Sequence, residues 1–384
     1  MNLDDMRPWD VLLKRIIWRQ LGEINGRKIL DFGSGQGITA CYLAGENQVT
    51  AIEPDSESVS NRMKEKDYRQ LCGSTELLKE FPDETFDMVV CHNVLEYAAD
   101  RERIVREFSR ILKQDGYISI VKHNRPGRVM QMVVLLNDFE QAGSLLEGND
   151  GLSAQFGPIH YYEDADIESW CPDLRIERVM GARCFWDLQQ NQELHTDAEW
   201  QDRMIEMELR VSKIQEYRQI AFFHHLLIRK RRRVRFYDEV QDELLKFAVI
   251  MAVSERKLVF CKHKQRDTWE VPGGHREAGE DILDTARREL YEETGAVEFE
   301  IEPVCVYSVT APDNLNGGEE SFGMLYFADI KRFEPEIHSE IEKIALLSGL
   351  PESWTYPEIQ PKLLEEAGRR NKHFSKILRG CNLL

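Results

Sequence analysis

The sequence predicts two α/β units in tandem, and three features lead there. At 384 residues the chain is longer than one ordinary hydrophobic core holds together. Near its start, "RKILDFGSGQGITACYLAG" reads as an apolar strand, a glycine-rich turn and the first residues of a helix, the opening of a doubly wound fold. Past the middle, "VPGGHREAGEDILDTARRELYEETGA" sets one amphipathic helix among β-type segments. Between them an apolar run ends at Ile228, and six of the seven residues from Arg229 to Arg235 are basic. The units are therefore expected to span 1–232 and 233–384, with the basic run as a solvated linker.

Composition narrows the function. The formal net charge is −18, shared equally by the two parts, so neither is a basic nucleic-acid module in bulk. Any contact with nucleic acid must come from a local patch. The eight cysteines are dispersed with no C-x-x-C, and Cys91 and Cys261 lie in apolar strand-like runs, which fits reduced thiols. No zinc pattern appears. "MNLDDMRPWD" lacks the charged-then-apolar order of a signal segment, and no apolar run approaches the roughly 18 residues of a membrane span. The expectation is a soluble, cytoplasmic protein with no membrane partner.

In the first unit, Gly33, Gly35 and Gly37 follow Asp31 at spacings that let the backbone turn tightly and approach a ligand on the helix N-terminus. A second strand, "QVTAIEPD", carries Glu53 20 residues after Gly33, where a doubly wound fold offers an acid to ribose hydroxyls. The dinucleotide fingerprint would need glycine at position 38, which is Ile38, so the pattern is D-x-G-x-G-x-G. That pattern resembles motif I of class I S-adenosylmethionine methyltransferases. "LCGSTELL" takes the place of that family's adenine-contacting strand end, and "FDMVVCHNVLEYAADRERIVREFSRILKQDGYISIVKHN" that of its fourth strand, helix, Lys-x-x-Gly turn and fifth strand. The resemblance implies a Rossmann-like fold binding S-adenosylmethionine through Asp31, Gly33, Gly35, Gly37, Glu53, Ser74 and His92.

Beyond the fifth strand, Asn124, Gly127, Asn137, Phe139, the Gln141-Ala142-Gly143 run, Arg183, Phe185 and Asp187, with an amphipathic helix from about Ala198 to Glu216, resemble the bacterial methyltransferases that esterify the carboxylate of uridine-5-oxyacetic acid in tRNA. The last strand, "IAFFHHLLI", departs from that pattern by lacking its arginine. A carboxylate acceptor is ionised at neutral pH and needs no general base. Arg125 and Arg128, read as loop residues, are candidates to pair with an acceptor carboxylate or phosphate. His224 and His225, adjacent on a strand, point to opposite faces and read as structural.

In the second unit, "LLKFAVIMAVSERKLVFCKHK" reads as a hairpin, and two further β segments flank a helix expected from Asp281 to Glu293 and stopped by Gly295. Glu289, Glu292 and Glu293 stand at i, i+3 and i+4, so like charges share one face, and the stretch holds seven acidic residues. Crowded hard oxygen ligands suggest magnesium, which keeps waters and takes substrate phosphates. Gly274, Glu280, Arg288, Glu289, Leu290, Glu292, Glu293, Gly295 and Ala296 match the Nudix box position by position, with Ala296 smaller than usual. The resemblance implies an α/β/α sandwich hydrolysing a pyrophosphate bond in a nucleotide-type substrate. It implies catalytic roles for Arg288, Glu289, Glu292 and Glu293, and Mg²⁺ or Mn²⁺ held by those three glutamates with Glu280 and Gly274. Glu319 and Glu320 in the next loop are candidate general bases, and Trp269 a candidate base-stacking residue.

The combined expectation is a bifunctional enzyme. Two rivals stay open: a hydrolase targeted by a catalytically silent nucleotide- or RNA-binding domain, and a nucleotide sensor.

Overall fold

The structure, a computed structural model, describes residues 6–153, 156–310, 320–334, 341–381 and 383. It divides into compact units at Met1–Lys230 and Arg231–Leu384.

In the first unit the elements run α1 (Pro8–Leu21), β1 (Lys28–Phe32), α2 (Ile38–Leu43), β2 (Gln48–Glu53), α3 (Ser56–Ser60), β3 (Arg69–Cys72), β4 (Phe86–His92), α4 (Arg101–Ile111) and β5 (Leu112–His123). There follow α5 (Arg125–Val134), α6 (Phe139–Leu146), a hairpin of β6 (Gly151–Ser153) and β7 (Gly157–Ile159), α7 (Asp166–Trp170), β8 (Leu174–Ala182), α8 (Ala198–Val211), α9 (Gln215–Arg218) and β9 (Phe223–Lys230). One sheet has the order β3-β2-β1-β4-β5-β9-β8. Its first five strands are mutually parallel, and β9 and β8 close it antiparallel. The strands read as near-continuous apolar runs because helices cover both faces. Ile104, Val105, Phe108 and Ile111 of α4 pack on one face, and Leu12, Leu13, Ile16 and Ile17 of α1 belong to the core on the other.

The second unit continues β10 (Arg233–Tyr237), β11 (Leu245–Ser254), β12 (Lys257–His263), β13 (Trp269–Glu270), β14 (Gly273–His275), α10 (Ile282–Thr294), β15 (Ala296–Thr310), β16 (Ser321–Phe333), β17 (Ile341–Leu347), α11 (Gln360–Arg370) and α12 (Lys372–Gly380). Its mixed sheet has the order β10-β15-β16-β11-β12-β13, with β14 on β11 and β17 on β12. Ile282, Ala286 and Leu290 of α10 fill one core; Leu363, Leu364, Phe374 and Ile377 of the last two helices fill another.

Local readings differ in four places. The expected linker is strand: Arg229 ends in β9 paired with Glu177, Lys230 is buried 3.6 Å from Glu84, and Arg233 opens β10. Only Arg231 and Arg232 lie between the strands, and ion pairs with acidic side chains replace the solvated reading. Arg125 and Arg128 lie on α5 rather than in a loop. The expected Lys113–Gly116 turn is an irregularity within β5, whose register on β4 jumps from Phe86↔Leu112 to Met88↔Tyr117. The long helix from Ala198 ends at Val211, and α9 follows separately.

Gly127 sits where α5 crosses the start of β9. A Cβ there would lie 2.7 Å from Phe222 Cα and closer still to the Ala221 carbonyl. Since that obstacle is backbone, Gly127→Ala should destabilise the first unit by about 3 kcal/mol. Thermal melting checks this; an unchanged melting temperature contradicts it.

Candidate functional sites

The carboxyl edge of the first sheet gathers one set of polar groups. Gly33, Gly35 and Gly37 all take positive φ, at 73°, 54° and 70°. A side chain at Gly33 would strike Val94, and one at Gly37 would strike the Tyr68 hydroxyl, so space as well as conformation requires glycine. At the end of β2, Glu53 accepts the Gly35 N–H at 2.7 Å through one oxygen and the Asp55 N–H at 3.0 Å through the other. An ionised carboxylate has about four acceptor positions, so each oxygen retains capacity for a hydroxyl donor. Asp31 is buried, its Oδ2 has no partner among the described residues, and burial pushes its carboxyl up to about 6. Ser74 follows β3 at the same edge, its N–H donated to Glu76 at 2.8 Å.

Lys14 of α1 enters this site and had no signal in the glycine motif. It donates to Thr39 Oγ1 at 2.7 Å, and burial lowers its pKa while the charge of Asp31 opposes the shift. His92, at the end of β4, is tied into a chain whose proton positions follow from one amide. Gln20 Nε2 donates to the Gly181 carbonyl at 2.9 Å, so its Oε1 accepts from His225 Nδ1 at 2.8 Å. His225 Nε2 must then accept from Ser119 Oγ at 2.9 Å, and Ser119 accepts from His92 Nε2 at 2.7 Å. Burial holds His225 near about 3 and His92 well below the usual imidazole range, so both rings stay neutral and His92 Nδ1 carries a lone pair. His224, on the opposite face, bonds Asp164 at 2.8 Å.

In the second unit, Arg288 is the hub. Its Nε and Nη2 donate to Glu280 at 2.9 and 3.1 Å, Nη1 to Glu289 at 2.8 Å and Glu292 at 3.1 Å, and Nη2 also to the His275 carbonyl at 3.0 Å. Arg288 holds the Glu280 carboxyl down at about 2. Glu289 is raised instead: burial outweighs the same guanidinium, and Glu292 and Glu280 add repulsion. Glu293 faces elsewhere, accepting the Gly273 N–H at 2.9 Å, and burial with three neighbouring glutamates pushes it up to about 8. Gly274 is glycine because a Cβ would collide with the Glu289 carboxyl. Helix α10 aims these groups from firm ends: Asp281 caps it through the Leu283 N–H at 2.9 Å, and Gly295 at φ 72° stops it.

The expected ligand set is thus split, and among the described residues no three acidic, histidine or cysteine side chains converge to enclose a metal. The donor chemistry nevertheless fits a hard cation. Four carboxyls repel one another around one arginine, and the most buried holds its proton above neutrality for want of a counter-charge. Sequence reading missed a further carboxyl, Glu270, which is buried, raised by burial and near enough to Glu293 to raise it. Its only sequence signal is its place directly after Trp269. Glu320 is committed elsewhere, accepting from Tyr237 at 2.6 Å and Ser308 at 2.5 Å; Glu319 lies outside the described residues. Trp269 is half-buried with Lys343 over its ring at 5.6 Å.

A methyltransferase domain model matches residues 30–120, and a NUDIX domain model matches residues 244–367. The chain joins a methyltransferase domain to a NUDIX domain. Both are enzyme domains. The chain is 25% identical over 237 residues to the tRNA 5-carboxymethoxyuridine methyltransferase of Escherichia coli K12, covering 57% of this chain and 88% of that protein. Among solved structures, it is similar to a Bacillus subtilis pyrophosphohydrolase at TM-score 0.31 and 23% identity, over 36% of this chain and 91% of that one. A Haloferax volcanii methyltransferase solved with its Trm112 activator matches at TM-score 0.40 and 14% identity, over 59% and 92%. No helix among the described residues is long and apolar enough to cross a membrane.

The Arg288 hub makes a pH prediction. Glu280 is depressed in the folded protein, so its bond to Arg288 stabilises fully above its ordinary value of 4.5 and fades as pH falls toward about 2. Arg288→Ala should therefore melt below the parent protein at pH 7, with the gap narrowing across that acid range. A gap independent of pH contradicts the pairing.

Proposed function

We propose that the chain is a bifunctional enzyme, transferring a methyl group from S-adenosylmethionine to a carboxylate on a tRNA wobble uridine and hydrolysing the pyrophosphate bond of a nucleoside diphosphate derivative with Mg²⁺, or Mn²⁺ in its place. The observation that carries the reading is the pair of glycine-backed carboxylates, Glu53 in the methyltransferase domain and Glu293 in the NUDIX domain. The tRNA acceptor is supported by the similarity to the Escherichia coli protein, and it implies a cytoplasmic protein.

In the methyltransferase domain, Glu53 takes the ribose hydroxyls, and Gly33, Gly35 and Gly37 line the amino-acid end. The orphaned oxygen of Asp31 meets an ammonium, and Lys14 supplies positive charge beside it. Bound there, the cofactor supplies an electrophilic methyl group. A carboxylate acceptor arrives ionised, so the protein's task is alignment rather than proton removal. In the NUDIX domain, Glu289, Glu292 and Glu293 hold the cation with Glu280 and Gly274 beside them. Arg288, anchored on Glu280 and the His275 carbonyl, keeps Glu289 and Glu292 in position. The cation's chemistry is to acidify a water and neutralise the phosphates.

Two measurements test the halves separately. Glu292→Gln keeps the size of a half-exposed side chain and removes its charge. It should abolish Mg²⁺-dependent release of monophosphates from a nucleotide diphosphate panel while hardly moving the melting temperature; full activity in the variant, or in excess EDTA, refutes the assignment. Glu53→Ala removes a charge-assisted hydrogen bond of about 1.5–3 kcal/mol, so calorimetry should find S-adenosylmethionine bound roughly 10- to 150-fold more weakly. Tight NAD binding with no S-adenosylmethionine binding in the parent protein would exclude the methyltransferase reading.

A further inference from the structure

Beside the cofactor edge lies a second polar cluster that neither glycine motif explains. It is built on the ends of β4, which neighbours β1 in the sheet, and of β5, the next strand beyond it. Val94, which packs against Gly33, leads directly into Leu95–Tyr97, and Glu96 there is buried, accepting the His123 N–H at 2.7 Å and Nδ1 at 3.0 Å. The carboxyl ends of parallel strands are where open α/β sheets bind ligands.

Arg128 stands in this cluster. Its one hydrogen bond among the described residues goes to Gln131, whose amide donates to Asp187 at 2.8 Å; Asp187 is already neutralised by the buried Arg183, whose Nε donates at 2.8 Å. Arg128 is thus positioned by a neutral amide, and among the described residues no carboxylate is bonded to it, Asp187 acting on it only through space. Burial disfavours its charge, and it lies 5.6 Å over the Phe222 ring. A desolvated guanidinium with no counter-ion is costly unless a ligand brings one. A second group has the complementary defect. The Tyr161 hydroxyl is buried and unpartnered among the described residues. Burial pushes it up to about 12 against the charges of Arg128 and Arg125, so it stays a donor. Arg125, 4.9 Å over the Tyr161 ring, fixes that ring from its other contacts. The rim is aromatic: Tyr97 meets the exposed Phe156 at 5.4 Å between centroids.

We propose that Arg128 and Tyr161 form an oxyanion subsite that seats the acidic group of the methyl acceptor. Guanidinium and phenol are both donors, the phenol has no acceptor and the guanidinium no paired carboxylate among the described residues, and the two groups act on one another electrostatically. The subsite rests on the methyltransferase reading. It adds to it which residues select the acceptor, and that selection is for negative charge on a group small enough to share two donors.

Calorimetry on the full chain tests it with three probes: uridine, uridine 5′-monophosphate and the nucleoside 5-carboxymethoxyuridine. At least one anionic probe should bind more tightly than uridine, and which one does distinguishes phosphate from carboxylate. Arg128→Gln should weaken that anion roughly 10- to 150-fold, and Tyr161→Phe roughly 2- to 10-fold, with uridine unaffected. Tyr161→Phe deletes a hydroxyl that bonds nothing among the described residues, so its melting temperature should hold or rise, and it remains informative should Arg128→Gln fold poorly. Uridine binding as tightly as both anions, no measurable binding of either anion, or anion affinity unchanged in both variants overturns the subsite. S-adenosylhomocysteine is titrated into the same samples. Failure of that ligand to bind overturns the methyltransferase reading itself, whereas its binding with an unselective anion response overturns the subsite alone.

Discussion

A glutamate carboxyl accepting the N–H of a glycine is the constraint on which both sites depend. In the first unit Glu53 answers Gly35 at 2.7 Å, and in the second Glu293 answers Gly273 at 2.9 Å. Gly35 lies in a turn at positive φ, and Gly273 opens β14 where a Cβ would lie 2.5 Å from the Ala248 carbonyl oxygen, so in both places only glycine lets the chain come close enough to hold the acid. The acid in turn satisfies that glycine's backbone donor. Turn, strand end and charge are therefore one unit, and neither glycine nor glutamate can change without the other losing its reason.

What surrounds each carboxylate decides its chemistry. Around Glu53 the neighbours are mixed: Asp31 and Lys14 offset one another, and a neutral chain of two histidines, a serine and an amide closes the back of the site. Such a site suits a ligand with hydroxyls and charges of both signs. Around Glu293 the neighbours Glu289, Glu270 and Glu292 are acidic, Arg288 already serves Glu280, Glu289 and Glu292, and Arg266 pairs with Glu270. The surplus negative charge there is unmet among the described residues, which is the electrostatic condition for recruiting a cation.

Much of this was legible in the sequence because it is local. The glycine spacing after Asp31, the strand carrying Glu53 and the run from Gly274 to Gly295 lie within short stretches whose periodicity and turn chemistry are strong. The hairpin of β11 and β12 was also readable, although its turn places Glu255 and Arg256 at positive φ, 49° and 61°, without a glycine to announce it. What escaped is nonlocal. Lys14 reaches Thr39 across 25 residues and His225 reaches Gln20 across 205, and no spacing rule connects them. The basic run misled because charge composition says nothing about pairing: the consecutive residues Arg229, Lys230 and Arg231 meet Glu177, Glu84 and Glu358. The shared helix face of Glu289, Glu292 and Glu293 was geometrically sound, yet side-chain reach sent two of them to Arg288 and the third to a backbone N–H.

The central claim, that each glycine-backed carboxylate serves its own ligand, is tested most directly by differential scanning calorimetry of the full chain with S-adenosylhomocysteine alone, Mg²⁺ alone, both, and NAD as control. A ligand that binds only the folded state raises melting by mass action. The account predicts a rise with each of the first two, the two effects persisting together, and none with NAD. Melting unmoved by S-adenosylhomocysteine and by Mg²⁺, or moved by NAD in place of the former, would contradict it.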